Sequence, residues 1–268
     1  MIDTHCHLVY ENADPEPAIS RARQILDAII TCGYPRDYEK NIEIVEKHRE
    51  FVFLTLGLHP VDNKDMSSEE VDKYLDFVRS KKDSILAVGE IGLDYHWFPE
   101  KDSEQGKMFV ESFSKCLELA KQLGKPVVLH TRKAEQDCFD MVVSHGIKHA
   151  VFHCYAGNMT LARQIIDNGF FISLSSNINR SKNTKKIAKS FPLEQLLTET
   201  DSPFLSPVPG KKNEPANVKL VVERIAELRS MSVEEVDRQT TENAVRFFNM
   251  PLELKDKGLS NKEVNRLN

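Results

Sequence analysis

The sequence predicts an α/β fold, a TIM-type (β/α)8 barrel formed by a single domain. Eight short apolar or β-branched runs alternate with longer amphipathic stretches along the 268 residues. This alternation is typical of parallel strands joined by right-handed helical crossovers, and barrels of this type commonly contain about 250 residues. The alternative, an open doubly wound sheet, normally carries a glycine-rich phosphate-binding turn after its first strand, and none follows Ile2–His7.

The predicted strands are short runs rich in Val, Ile, Leu and Phe. They are Ile2–His7, Ala28–Thr31, Phe51–Gly57, Ile85–Glu90, Pro126–His130, Ala150–His153, Phe170–Leu174 and Leu196–Asp201. Helical periodicity between them predicts helices over Tyr38–His48, Ser68–Ser80, Ser103–Leu123, Glu135–Ser144, Thr160–Asn168 and Lys182–Lys189. A capping box at Ser232–Glu235 opens a last helix that runs through Phe248.

Composition limits the function classes. The net charge is −5, with 36 basic and 41 acidic residues, so no global positive field holds nucleic acid and any such chemistry needs local charge and metal. The longest apolar run, Phe51–Leu58, is too short to span a membrane. Five scattered cysteines do not form a disulfide framework. No signal-peptide core is present, and we expect a cytoplasmic protein with no evident obligate protein partner.

No linker or change of composition divides the chain. We therefore expect residues 1–250 to form the barrel and the polar residues 251–268 to form a C-terminal tail.

Candidate metal ligands follow the predicted strands. His5 and His7 are separated by one residue, so both imidazoles leave the same face of a strand. Four further metal-binding side chains end later predicted strands: Glu90, His130, His153 and Asp201. The carboxyl ends of all strands meet at one mouth in a barrel, so we expect these six side chains to converge there.

Four imidazoles and two carboxylates exceed the needs of one tetrahedral site. They suit a two-metal centre, in which Glu90 can bridge both ions and Asp201 is the best placed general base. Taken one at a time, each candidate ligand has a common structural role as the alternative. A histidine at a strand end is often a hydrogen-bonded core residue, and a carboxylate there is often a helix cap. Glu199 and Asp94 are candidates for groups that orient the ligands, or for an ion-pair partner and a loop cap.

The ordered motifs resemble those of TatD-type metal-dependent deoxyribonucleases, a family within the amidohydrolase superfamily. The resemblance covers roughly residues 2–250 and rests on Asp3–Leu8, Gly57–Pro60, Gly89–Asp94, His130–Arg132, Phe152–Cys154, Glu199–Pro203 and Asn213–Val218. It implies hydrolysis of DNA phosphodiester bonds with divalent metal, described in the family as 3′–5′ exonuclease activity. It also implies a ligand role for the same six residues, and marks His59 as a mouth residue that touches substrate phosphate; the alternative is a turn histidine held by Pro60.

Two divalent ions are expected, with Zn²⁺, Mn²⁺ and Mg²⁺ all compatible with a mixed nitrogen and oxygen site. Single-stranded DNA or a DNA 3′ end is the expected substrate. Arg132 is a candidate phosphate clamp or the partner of a nearby carboxylate, and Lys211 and Lys212 lie in the loop after strand eight. Tyr95–Phe98 can stack on bases or pack beneath their loop.

A second function fits the same residues. A two-metal water also serves an amidohydrolase or esterase acting on a small molecule or an aminoacyl-tRNA ester. In the superfamily that the sequence resembles, two-metal amide hydrolases often carry a modified lysine where this chain has Glu90, which favours the phosphodiesterase. The third alternative is a metal-binding or nucleic-acid-binding protein without catalysis.

Overall fold

A computed structural model describes residues 1–11, 13–98 and 102–252, and its eight parallel strands form one sheet in the order β1 to β8. The strands are β1 Ile2–Cys6, β2 Ala28–Gly33, β3 Val52–Leu56, β4 Ala87–Gly92, β5 Val127–His130, β6 Ala150–Phe152, β7 Phe171–Leu174 and β8 Leu196–Thr198. Each strand pairs with the next along the chain. The predicted (β/α)8 barrel is confirmed.

Ten α-helices connect or follow these strands in the described residues. They are α1 Glu16–Arg23, α2 Tyr38–Lys47, α3 Pro60–Asn63, α4 Ser68–Ser80, α5 Glu104–Leu123, α6 Glu135–Ser144, α7 Met159–Asp167, α8 Lys182–Ser190, α9 Val218–Arg229 and α10 Val233–Phe248. The capping box at Ser232 and Glu235 is present. Within these same ranges, none of the helices combines the length and the apolar character needed to cross a bilayer.

The sheet closes where the chain beyond β8 meets β1. The Asp201 amide donates to the His5 carbonyl (3.0 Å), and the His7 amide donates to the Ser202 carbonyl (2.7 Å). The fully buried Asp3 carboxylate accepts from the Thr200 amide at 2.8 Å and from the Thr200 hydroxyl at 2.5 Å. These bonds satisfy buried polar groups and fix the segments that carry His5, His7 and Asp201 against one another.

Alternating strand residues divide the apolar core into two parts. Val127 and Leu129 pack outward among helix residues such as Phe113, whereas Val128 belongs to a second cluster with Phe247 and Phe248 of α10. Because α10 follows the last strand and packs on these residues, it covers one end of the barrel. The opposite end, where the strands terminate, is left for polar side chains.

Two strands carry one extra residue relative to their neighbours. Between Gly89 and Ile91, β4 advances two residues while β5 advances one, from Val128 to Leu129. Between Asp3 and Cys6, β1 likewise advances three residues while β2 advances two. Such a bulge turns the following side chains to the other face, so Glu90 points inward although Val88, two residues earlier, packs outward.

Several predicted boundaries are wrong. Glu90 does not end its strand, because β4 begins at Ala87 and continues to Gly92. His7, His153 and Asp201 lie just beyond β1, β6 and β8, where strand pairing has stopped. The backbone of Asp201 adopts a left-handed conformation, with φ 55°, so the chain turns at this residue instead of continuing as a strand.

Three helices were not predicted: α1, α3 and α9. Helix α1 buries only Ile19 and Ala22, which is too little periodicity to recognise. Helix α9 buries residues at spacings of three and four, from Val218 to Ala226, and this signal was available in the sequence. Of the predicted tail, residues 253–268 lie outside the described residues.

Substitution of Gly92 tests how closely β4 packs against β5. A Cβ built at Gly92 would lie 2.0 Å from the His130 carbonyl oxygen, and the φ of Gly92 is +142°. We expect Gly92→Ala to lower the free energy of unfolding by about 1–3 kcal/mol from the overlap, beyond the cost of its positive φ. Chemical denaturation measures this change.

Gly124→Ala is the matched control, because Gly124 also has a positive φ (+63°) but no atom within 4 Å of the added Cβ. Its cost should be only about 1–2 kcal/mol. Equal losses for the two variants would contradict the close approach of β4 and β5.

Candidate metal centre

All six predicted ligands come together at the carboxyl end of the barrel. Three overlapping groups have ligand atoms within 4.8 Å of one another: His5, His7 and Glu90; His5, His153 and Asp201; and His59, Glu90 and His130. The six predicted ligands lie in or shortly after five strands, β1, β4, β5, β6 and β8, and His59 follows β3. The structure thus brings these side chains together, and their role as metal ligands stays a prediction.

Glu90 lies at the middle of the cluster, and its side chain is only 3% exposed. One carboxylate oxygen, Oε1, lies 2.7 Å from His153 Nε2 and 2.8 Å from His130 Nδ1. The other, Oε2, lies 2.5 Å from the Tyr34 hydroxyl and 3.5 Å from His5 Nε2. The two oxygens thus face two different groups of histidines, which is the arrangement a bridging carboxylate requires.

Three of the imidazoles have an outer partner on the ring nitrogen that faces away from the cluster. His130 Nε2 lies 2.8 Å from Asp94 Oδ2, and His153 Nδ1 lies 3.4 Å from Glu199 Oε1. His7 Nδ1 lies 3.3 Å from the Tyr34 hydroxyl. Partners of this kind are typical of histidines that bind metal through the other nitrogen.

Asp94 and Glu199, proposed from sequence as orienting groups or as ordinary acids, both contact ligand histidines. Glu199 is fully buried and also accepts from the Ser173 hydroxyl. Asp94 additionally accepts from the amides of His96 and Trp97, at 2.8 and 3.1 Å. Asp94 is therefore both an orienting group and a loop cap.

The inner nitrogens fit a divalent cation. His5 Nε2 is buried and makes no hydrogen bond, although Glu90 Oε2 and Asp201 Oδ1 lie 3.5 and 3.8 Å away. Asp201 Oδ1 also lies 3.3 Å from His7 Nε2. A buried, unpaired imidazole nitrogen is costly, and a cation held by His5, His7 and both carboxylates would remove that cost.

The histidines and carboxylates of the cluster shift one another's pKa values. Burial raises the pKa of Glu90, but the charge of His153 and the hydrogen bonds from His130 and His153 outweigh burial and hold that pKa well below its usual range. Asp201 behaves in the same way: burial opposes ionisation, and the hydrogen bond from His7 with the nearby histidine charges lowers its pKa. Both carboxylates are therefore ionised at neutral pH, the form in which they bind metal.

His59 differs from the ligand histidines in its hydrogen bonding. Its Nδ1 accepts from the Val61 amide at 3.1 Å and caps α3, so a neutral His59 ring carries its hydrogen on Nε2. Burial, with the charge of His130, lowers the pKa of His59 to about 3. Nε2, 3.8 Å from Glu90 Oε1, is a neutral hydrogen-bond donor at the cluster. The turn role predicted as the alternative is thus present in the structure.

The cluster opens into a cavity of about 680 Å³. Arg36 and Arg132 line it. Arg36 is ion-paired with Asp62 and Asp37, and Arg132 lies over the ring of Trp97, 5.8 Å from its centroid. Lys211 and Lys212 do not line this cavity: Lys211 is exposed, and Lys212 pairs with Glu11 at 2.8 Å. Their predicted contact with substrate at the mouth therefore has no support from their placement.

Sequence reasoning missed Tyr34, Arg36 and Phe204, which all line the cavity. Tyr34 follows β2 with no polar pattern around it that marks a site. Cys154, the residue after His153, also lines the cavity. Its backbone is left-handed, with φ 47°, so strand alternation does not apply there.

Proteins similar to this chain include metal-dependent hydrolases and deoxyribonucleases. A family model described as TatD related DNase matches residues 2–249. An uncharacterised metal-dependent hydrolase of Methanocaldococcus jannaschii, MJ1582, is 39% identical and covers 92% of this chain and 96% of its own. Human deoxyribonuclease TATDN3 is 30% identical, with 92% and 94% covered. The crystal structure of YJJV, a TatD homologue from Escherichia coli, superposes with a TM-score of 0.83 at 27% identity over 94% of this chain and 98% of that one.

Tyr34 is the clearest test of the outer contacts. Burial and the neighbouring Cys32 and Glu90 raise the pKa of Tyr34, so its hydroxyl stays protonated, donates to Glu90 Oε2 and accepts from His7 Nδ1. We expect Tyr34→Phe to weaken divalent-ion affinity by about 10–100-fold, because both groups lose the contact that orients them. Titration against a chromophoric chelator measures this affinity.

Tyr74→Phe provides the control. Tyr74 is another buried tyrosine, and its hydroxyl donates to backbone carbonyls, those of Gly57 at 3.2 Å and Gly33 at 3.5 Å, and not to the side chain of a candidate ligand. Its loss should leave metal affinity within about twofold of the wild-type value. Equal metal affinity in the two variants would contradict the role given to Tyr34.

Proposed function

This chain belongs to the family of TatD-related DNases and is a metal-dependent hydrolase, and we propose that it is a deoxyribonuclease that cleaves DNA phosphodiester bonds at a two-metal site. This proposal rests on the direction in which the two nitrogens of each imidazole ring point. His130 and His153 each direct one nitrogen at Glu90, and His7 directs one at Asp201, while the opposite nitrogens meet Asp94, Glu199 and Tyr34. Structural histidines have no reason to share this orientation.

The six ligands divide naturally around Glu90. By the distances from each carboxylate oxygen, His5, His7, Asp201 and Glu90 Oε2 would hold one ion, and His130, His153 and Glu90 Oε1 would hold the other. The ligand atom of His153 also lies within 4.8 Å of those of His5 and Asp201. Paired divalent ions polarise a phosphoryl oxygen and lower the pKa of an attacking water molecule. Zn²⁺, Mn²⁺ and Mg²⁺ are the candidate ions.

Asp201 is assigned the proton transfer. Its carboxylate is held ionised by His7 and the adjacent histidine charges, and it reaches the cluster from the turn after β8. Ionised and directed at the place where water must attack, it can take the proton of that water. This role is compatible with Asp201 also contributing an oxygen to one ion.

His59 and Arg132 are assigned to the substrate. The neutral Nε2–H of His59 can donate to a phosphoryl oxygen without adding a positive charge beside the cations. Arg132, at the cavity wall, can bind a phosphate through two parallel hydrogen bonds. Lys211 and Lys212, outside the cavity, can contact only more distant phosphates of a longer strand.

The substrate is proposed to be single-stranded DNA or a DNA 3′ end, cleaved in the 3′–5′ direction. The name of the human relative, a deoxyribonuclease, supports DNA. The cationic side chain of Arg132 at the mouth of a chain with net charge −5 supports an anionic substrate that is recognised locally.

A nuclease assay tests this proposal. Protein freed of metal with a chelator is resupplied separately with Mg²⁺, Mn²⁺ or Zn²⁺ and incubated with single-stranded DNA labelled at either end. We expect metal-dependent shortening from the 3′ end. Asp201→Asn should lower kcat by about 10²–10⁴-fold, because it loses the proton acceptor, and bound metal should be measured in the same samples.

Asp140→Asn is the matched control, since Asp140 is an exposed carboxylate on α6 and should leave cleavage unchanged. Full activity of Asp201→Asn would exclude Asp201 as the base. A protein that binds two ions but cleaves no DNA with any metal would overturn the deoxyribonuclease proposal and favour the hydrolysis of small amides or aminoacyl esters.

A further inference from the structure

The only tryptophan of the chain is placed at the mouth of the candidate site. Trp97 is 61% exposed and lines the same cavity as Glu90 and Asp201. The guanidinium of Arg132 lies 5.8 Å from the centre of its ring, and the His96 ring meets it edge-on at 4.8 Å. Such exposure leaves much of a large aromatic surface accessible for contact with a ligand. We call this surface the Trp97 platform.

A second exposed aromatic side chain lines the cavity in the turn after β8. Phe204 is 44% exposed, and its amide donates to the Asp201 carbonyl at 2.9 Å. Its ring meets His7 at 5.6 Å and Tyr10 at 5.2 Å, both edge-on. The ammonium of Lys212 lies 5.1 Å from the centre of the Tyr10 ring. We call Phe204 and Tyr10 the Phe204 platform.

The barrel places these two platforms on opposite sides of the metal cluster. Trp97 and Arg132 follow β4 and β5, whereas Tyr10 and Phe204 follow β1 and β8. In a closed sheet ordered β1 to β8, the β4–β5 pair lies across the barrel from the β8–β1 pair. The candidate ligands lie between them. The Trp97 platform also has a cation beside it, Arg132, whereas Lys212 near Tyr10 is paired with Glu11.

A nucleic acid has the chemistry that matches this arrangement. Its phosphodiester reaches the centre as an anion, and the bases on either side carry flat faces that stack on aromatic rings without regard to sequence. The guanidinium of Arg132, beside the Trp97 ring, suits a neighbouring phosphate. Stacking needs bases that are free of a complementary strand, so a paired duplex cannot use both platforms.

We propose that the Trp97 and Phe204 platforms bind the two nucleobases that flank the scissile phosphodiester, so that the substrate is a strand end with at least two unpaired nucleotides. This inference rests on the proposed nuclease function and adds its substrate requirement. It gives a role to Phe204, to Tyr10 and to the loop of Trp97 that the cleavage chemistry itself does not use.

The fluorescence of Trp97 reports directly on this proposal, because no other tryptophan is present. The metal-loaded enzyme is titrated with a phosphorothioate-linked tetradeoxynucleotide, which resists hydrolysis, and with the same backbone made of abasic residues. We expect saturable quenching by the base-containing strand, no quenching by the abasic strand, and at least about tenfold weaker binding of the abasic strand by competition. Equal affinity for both strands, or binding without quenching, would overturn the proposal.

Variants separate the two platforms. The preference for bases is the ratio of kcat/KM for a base-containing strand to kcat/KM for an abasic strand. This ratio should fall about tenfold in Trp97→Ala and in Phe204→Ala. Trp97→Phe should keep most of the wild-type ratio. Ile25→Ala is the control, because Ile25 is also 44% exposed but lies between α1 and β2. A ratio unchanged in Phe204→Ala would remove that platform from the proposal.

Failure of the two platforms can be distinguished from failure of the proposed nuclease function. A wild-type enzyme that binds the strand with base-dependent quenching but hydrolyses nothing overturns the nuclease and supports the platforms. An enzyme that hydrolyses base-containing and abasic strands equally well retains the nuclease and overturns the platforms.

Discussion

The buried carboxylate of Glu90 is the constraint on which the site depends. An ionised carboxylate that is 3% exposed is stable only where opposite charge and hydrogen bonds replace water. His130, His153 and Tyr34 supply these contacts at 2.5–2.8 Å, and each comes from a different strand or the loop after it. Because Glu90 needs all of them, the carboxyl ends of β2, β4, β5 and β6 are held in one relative position.

A ring of outer groups surrounds this centre and sets its chemistry. Asp94, Glu199 and the Tyr34 hydroxyl each contact a candidate ligand histidine on the nitrogen that faces away from the cluster. Histidine presents either nitrogen to a cation, and the group on the other side decides which one is available. The pattern of contacts therefore distinguishes proposed metal ligands from His59, whose capped Nδ1 leaves Nε2 as a donor.

The apolar residues that stabilise the barrel and the polar residues of the candidate site lie at opposite ends of its axis. Apolar residues such as Val128 pack on Phe247 and Phe248 of α10 at one end, and the polar cluster occupies the other. At the carboxyl end, the loops beyond the strands carry exposed aromatic and cationic side chains such as Trp97, Arg132 and Phe204. A net acidic chain can in this way present local positive charge where an anionic ester must enter.

The sequence by itself determined the barrel and the identity of the six candidate ligands, because parallel strands bring their carboxyl ends to one mouth wherever each strand happens to stop. It did not determine how Glu90 enters the barrel, since simple alternation from Ala87 would turn that side chain outward. The bulge between Gly89 and Ile91, visible only in the pairing of β4 with β5, reverses its direction. Tyr34 and Phe204 carry no local signal at all, and Lys212 is turned toward Glu11. Contacts of this kind join residues distant in sequence, and only the closed fold decides them.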